Sequence, residues 1–143
     1  LPDLFSIRNT TVEDYLEPVV HEIKVQRSDL LADLKREAKR EIEMLVARHA
    51  TIVGRRAKSI RFKDTTSRWG SCTSDGGLSF SWRIMMAPAP VINYLVAHEV
   101  AHLREMNHGP KFWKLCTELC PDTERCKAWL KRNGGALQAI MFE

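Results

Sequence analysis

HEVAHLREMNH, residues 98–108, gathers three of the chain's five histidines within eleven residues. His98 and His102 stand four apart, and at about 100° per residue that spacing puts both side chains on one face of a helix, one turn apart. Immediately upstream, VINYLVA (91–97) is apolar on nearly every side, so the helix carrying the histidines is expected to be central and buried. Its start falls near Pro90 or Val91, after Pro88-Ala89-Pro90. His108 follows His102 by six residues and would point away on an unbroken helix. Asn107 tolerates the left-handed conformation that closes a helix, while Gly109 and Pro110 suit the N-cap and first position of the next one. The expected helix therefore runs to Met106 and turns at Asn107, leaving His108 in a corner aimed back at the HEVAH face.

Two imidazoles one turn apart can both reach a single ion at Zn–N distances near 2.0 Å. Glu99 lies about 60° around the helix from His102, beside the ion without needing to bind it, a position that suits a base acting on water. Without a metal, a glutamate and two histidines in so apolar a helix would carry an uncompensated desolvation cost. Three residues are candidates for a third ligand. Glu105 shares a face with His98 but sits about 10 Å along the axis, too far for one tetrahedral ion. Glu118, on the following helix, echoes with Asp122 the ExxxD spacing of enzymes that use a distant glutamate. His108 supplies a third neutral nitrogen and leaves a fourth position open, the arrangement of a catalytic rather than a structural zinc. His98, His102 and His108 are the expected ligands of one Zn2+, with Glu99 catalytic; Co or Mn would suit the same nitrogens less selectively.

From Ser28, a good N-cap, the residues Leu31, Leu34, Ala38, Ile42, Leu45, His49 and Ile52 recur at helical spacing, and Gly54 can close a long amphipathic helix. His49 reads as a packed core or boundary histidine. KREAKREIE (35–43) alternates charge as a solvated face does. SIRFKD (59–64) and LSFSWRI (78–84) alternate as strands, and Asp75-Gly76-Gly77 between them signals a turn, which implies a small antiparallel sheet with one wet face. KFWKLCTELC resumes helical spacing up to Pro121, and a short final helix capped by Asp122 or Thr123 should close at Asn133-Gly134-Gly135. Residues 1–27 give no clear pattern: Pro18 interrupts them, VVHEIKV is too short to decide, and His21 reads as a surface residue. The expectation is an α+β single domain over 1–143. In it a small antiparallel sheet packs on a long N-terminal helix and a buried HExxH helix, with C-terminal helices following.

The chain has 143 residues, 44% of them hydrophobic, enough for one domain with a real core. Nothing approaches the roughly 18 apolar residues of a membrane span, and LPDLFSIRNT lacks a secretory pattern, so a cytoplasmic, monomeric protein is expected. The four cysteines, Cys72, Cys116, Cys120 and Cys126, read as free thiols without the CxxC knuckle of a second zinc site. Net charge is +4. GRRAKSIRFK (54–63) is the one basic run without nearby acids, which makes nucleic acid a candidate partner against the plainer reading of a solvated surface.

SRWGSC (67–72), LSFSWR (78–83) and APAPVINYLVAHEVAHLREMNHGPKFW (87–113) together resemble the YgjP-like zinc metallopeptidase family, related to the SprT-like and WLM metallopeptidases. The resemblance implies that the two histidines of HExxH and the one after Asn107 hold the metal, that Glu99 is the catalytic glutamate, and that peptides or proteins are the substrates. By analogy with other HExxH peptidases, the Leu78–Ile84 strand would pair with an extended substrate. Trp69 is expected to pack under the sheet with a turn at Gly70, and Cys72 to be a weakly reactive thiol near the cleft. Three alternatives accompany this reading: a nucleic-acid-associated zinc protein acting on DNA-bound proteins, a non-peptidase amide hydrolase, and a purely structural zinc module.

Overall fold

The computed structural model describes residues 28–142, so the expectations for residues 1–27, His21 included, lie outside the described residues. Helix α1 spans Ser28–Val53 and ends at Gly54, whose φ of +76° lets the following amide, of Arg55, turn back to the Ala50 carbonyl at 3.2 Å. Leu34, Ala38, Ile42, Leu45 and His49 form its buried stripe as the spacing implies. Ile52 does not join them: it is 63% exposed, and Val46 and Val53 are buried instead. The heptad step from Leu45, already at the margin of the stripe, drifts about 20° around the helix and carries Ile52 out into solvent. The outer face carries the pairs Lys39–Glu43, Arg36–Asp33 and Arg40–Glu37, solvent-screened contacts that add little to stability.

Strands β1 (Ser59–Lys63), β2 (Gly70–Cys72) and β3 (Gly77–Ser81) form one sheet in the order β1-β3-β2. The α+β class holds, but the sheet is mixed rather than wholly antiparallel: β1 runs parallel to β3, and only β2 runs antiparallel to it. The Asp75-Gly76-Gly77 turn is real, with Gly76 at φ +97°, yet it joins β3 to β2 and not to β1. A three-residue strand is too short to show alternation, so β2 was invisible in the sequence. As a result β3 is flanked on both sides and cannot offer a free edge to a substrate, which overturns the groove expected along Leu78–Ile84.

The strand also ends sooner than its alternation suggests. The Ser81 hydroxyl accepts the Arg83 amide at 3.3 Å, and Trp82–Met86 turns into a short, fully buried 3₁₀ helix. Arg83 is buried with it because its guanidinium has partners: Asp64 at 2.6 Å and the carbonyls of Leu137 and Ile140 at 3.1 and 2.6 Å. This one side chain ties the chain's C-terminal end to the sheet.

Helix α2 (Ala89–Ala101), with Pro90 in its first turn, is buried as expected and packs against α1, β2, α3 (Pro110–Leu119) and α4 (Thr123–Gln138). His49 of α1 meets it through a 2.7 Å hydrogen bond to Asn93 Oδ1, so His49 is a core histidine. Among the described residues no helix is long and apolar enough to cross a membrane.

Helix α4 does not stop at Asn133-Gly134-Gly135 but runs through it to Gln138. Packing overrides propensity here. Gly134 is buried against Trp69, and a β-carbon there would come within 2.9 Å of the indole Nε1. Trp69 therefore packs on helix α4. Gly134→Ala should lower stability by about 1–3 kcal/mol through overpacking. That is opposite in sign to the roughly 1 kcal/mol gain from helix propensity alone. Denaturant unfolding of the two proteins reads the sign directly.

Candidate metal centre

Helix α2 ends at Ala101, five residues before the exit expected from the sequence. His102 is its cap, with ordinary right-handed angles, and the chain tightens through bonds from Leu103 to Val100 (2.9 Å) and from Arg104 to Ala101 (3.1 Å). Among the described residues no non-glycine has a positive φ, so Asn107 does not close the helix in a left-handed conformation. The tightened turn changes the chain's direction without one. Gly109 and Pro110 do begin α3 as N-cap and first-turn proline.

This exit swings His108 back over the helix face. Its Nε2 lies 3.0 Å from His102 Nε2 and 3.2 Å from His98 Nε2. Among the described residues these three side chains are the one group of three or more potential ligands close enough to share an ion. Tetrahedral ligands about 2.05 Å from an ion stand about 3.3 Å apart, so the spacing fits. Glu118 is exposed and outside this group, while Glu105 takes part only through its backbone carbonyl, which accepts His102 Nδ1–H at 3.0 Å.

The ring of His98 and the backbone of His108 are held as well. Tyr94 Oη sits 3.2 Å from His98 Nδ1, and the Trp113 indole N–H donates to the His108 carbonyl at 3.2 Å. Phe112 forms the floor, stacked on His102 at 4.3 Å and edge-on to the other two rings; Trp113 stacks on His108 at 5.7 Å. Lys127 lies 4.0 Å over Trp113. Burial, then the charges of His102, His108 and Lys127, pushes His98 down to about 4, and burial lowers His102 too. His98 and His102, held as poor proton acceptors and engaged at Nδ1, turn their Nε2 atoms toward Nε2 of His108 at contact distance, and nitrogens so placed call for a cation between them. The donor set therefore fits a nitrogen-preferring divalent metal.

Glu99, 5% exposed, faces the sheet. Burial pushes its carboxyl up to about 7, against a smaller downward pull from Arg68. A β-carbon on Gly70 would lie 3.0 Å from both Glu99 Cγ and Oε2, so the first residue of β2 is glycine because the glutamate side chain occupies that space. The sequence marked Gly70 only as a turn. Tyr94, Phe112 and Trp113 read as core, although Tyr94 precedes His98 by one helical turn and could have been found from that spacing. The four cysteines are free, as expected. Cys72 is half-buried, and burial, with Glu99 nearby, pushes its thiol up to about 11, which makes it a poor nucleophile.

A buried helix bearing HExxH, completed by a histidine from the turn that follows, is the framework of metal-dependent hydrolases. The YgjP-like metallopeptidase domain matches residues 7–133, and the chain belongs to that family. Its fold is similar to the crystal structure of the metallopeptidase zymogen of Pyrococcus abyssi abylysin. That likeness has a TM-score of 0.57 and 22% identity, over 70% of this chain and 98% of that one. Comparison with curated proteins returns no match.

Proposed function

We propose that this metallopeptidase domain is a zinc-dependent peptidase in which His98, His102 and His108 hold one Zn2+ and Glu99 is the general base. The observation that carries the reading is the convergence of three Nε2 atoms, two of the pairs at 3.0 and 3.2 Å, beside a buried carboxylate. When bound, the ion supplies Lewis acidity that polarises a peptide carbonyl and makes water acidic enough to lose a proton near neutral pH. Glu99 accepts that proton, which its raised proton affinity favours, and the carboxyl so formed then gives the proton to the more basic leaving amine. Phe112 and the apolar body of α2 keep bulk water from the rear of the site. Metal analysis of the purified protein together with turnover of an unfolded protein substrate tests the assignment. One equivalent of zinc and chelator-sensitive cleavage support it, and turnover without metal refutes it.

The substrate strand belongs on β2 rather than β3. Ser81 N donates to Trp69 O at 2.8 Å and Thr73 N to Gly77 O at 2.9 Å. Alternation in an antiparallel ladder then makes Ser71–Ser79 the inward-bonded pair between them. Gly70 and Cys72 accordingly turn their N–H and C=O groups to the outer edge, where β2 has no neighbour among the described residues. An extended peptide pairing there would pass beside Glu99. Cys72→Pro removes one outward N–H without breaking a β2–β3 bond. It should lower kcat/KM about tenfold or more with zinc content unchanged, the loss of roughly one well-placed hydrogen bond. Unchanged cleavage would remove β2 as the docking edge.

A further inference from the structure

On the face of the sheet turned away from α2, an open cleft of about 120 Å³ lies between the end of β1 and the start of β2. Its walls include Lys63, Thr65, Arg68, Trp69 and Ser71, with Ser79 and Ser81 of β3 between them. We propose that this cleft is a side-chain subsite of the peptidase, selective for an acidic residue of the substrate, glutamate above all. The inference rests on the peptidase reading and on β2 as the edge that pairs with substrate.

Three features carry it. The first is position. Gly70 lines the cleft and also abuts Glu99, so the cleft begins one residue from the reacting centre. The second is strand geometry. Side chains of a peptide paired to β2 alternate between the two faces, repeating every 6–7 Å or so on each. Those on the Gly70 and Cys72 face point toward α2, and those on the Ser71 face enter the cleft. The third is charge. Lys63 and Arg68 are exposed cations on its rim, and among the described residues no carboxylate lines it. Asp64, the nearest acid in sequence, is engaged by the buried Arg83. The hydroxyls of Ser71, Ser79 and Ser81 add donors without opposing charge, while that of Thr65 is given to the Arg68 carbonyl. Trp69, immobilised against Gly134, offers a flat apolar wall for methylene groups, which favours glutamate over the shorter aspartate. Arg61 extends the positive field on the same face of β1, opposite Ser79.

The test uses the zinc-loaded full chain carrying Glu99→Gln, so that binding is read without cleavage. The probes are dye-labelled, end-blocked heptapeptide pools that differ only in a fixed central Glu, Gln or Lys. Fluorescence anisotropy should rank Glu about tenfold or more tighter than Gln, with Lys weakest and the Glu advantage shrinking as salt rises. Adding Lys63→Glu with Arg68→Glu should reverse the order of Glu and Lys while leaving zinc content and melting temperature unchanged, and Arg68→Lys should retain it. Equal affinities for the three pools, or a Glu preference that survives the double reversal, would overturn the subsite. So would duplex DNA binding abolished by the reversal in a protein that does not discriminate the pools, since the basic face would then serve nucleic acid. Cleavage by the unsubstituted protein, followed in parallel, reports on the peptidase reading separately.

Discussion

Glu99→Gln will retain a full equivalent of zinc and lose turnover by about 10²–10⁴-fold, the usual contribution of a positioned general base. Gln matches Glu in shape, which matters because Glu99 is 5% exposed and packed against the space left by Gly70. The amide fills the same volume, so a folding defect is not expected to confound the result. What is lost is the ability to take up a proton. Burial raises the proton affinity of Glu99 toward neutrality, and an amide has none to offer in that range. Steady-state kinetics alongside metal analysis reads both quantities, and substantial turnover by the zinc-loaded variant would remove Glu99 as the base.

His108→Ala will weaken zinc binding by more than about 100-fold, beyond the 10–100-fold that loss of a mere supporting partner causes. The fold should be almost untouched, within about 0.5 kcal/mol, because His108 is exposed and its loop is held independently by the bond from Trp113 to the His108 carbonyl. His102→Ala is a less clean experiment, since it also strips a buried ring from Phe112. Glu118→Ala is the matched control: an exposed carboxylate outside the histidine group should leave both zinc affinity and turnover alone. Chelator competition on the three proteins ranks them. If Glu118 rather than His108 proves necessary, the ligand set proposed here is wrong.

The histidine cluster was legible because helical periodicity is a local property. Spacing alone put His98 and His102 on one face, and Gly109-Pro110 correctly marked the start of α3. The exit was misplaced because no residue type announces a tightened last turn. It uses ordinary φ values and hydrogen bonds that any backbone can make, whereas Asn107 carried a recognisable but unused signal. The sheet failed for a different reason. Alternation along Leu78–Ile84 picked out Leu78, Phe80, Trp82 and Ile84, all of them buried, but Ser81 and Arg83 of the supposed wet face are buried too, because the chain leaves the strand for a 3₁₀ turn at Trp82. Strand order depends on pairing across the chain, and nothing local distinguishes a turn leading back to β2 from one leading back to β1. Gly134 and Gly70 make the same point in reverse. Each reads as a local break, yet each is small because a side chain from another element, Trp69 or Glu99, takes up the space.

The proposed function depends on three histidine nitrogens holding one zinc and leaving a coordination position open. Anomalous diffraction from crystals of the zinc-loaded protein, recorded on both sides of the zinc edge, tests it most directly. A single strong zinc peak is expected within about 2.0–2.1 Å of Nε2 of His98, His102 and His108, with a non-protein atom as fourth ligand. A peak completed by Glu118, a fourth protein ligand closing the site, or zinc bound among the cysteines instead would contradict it.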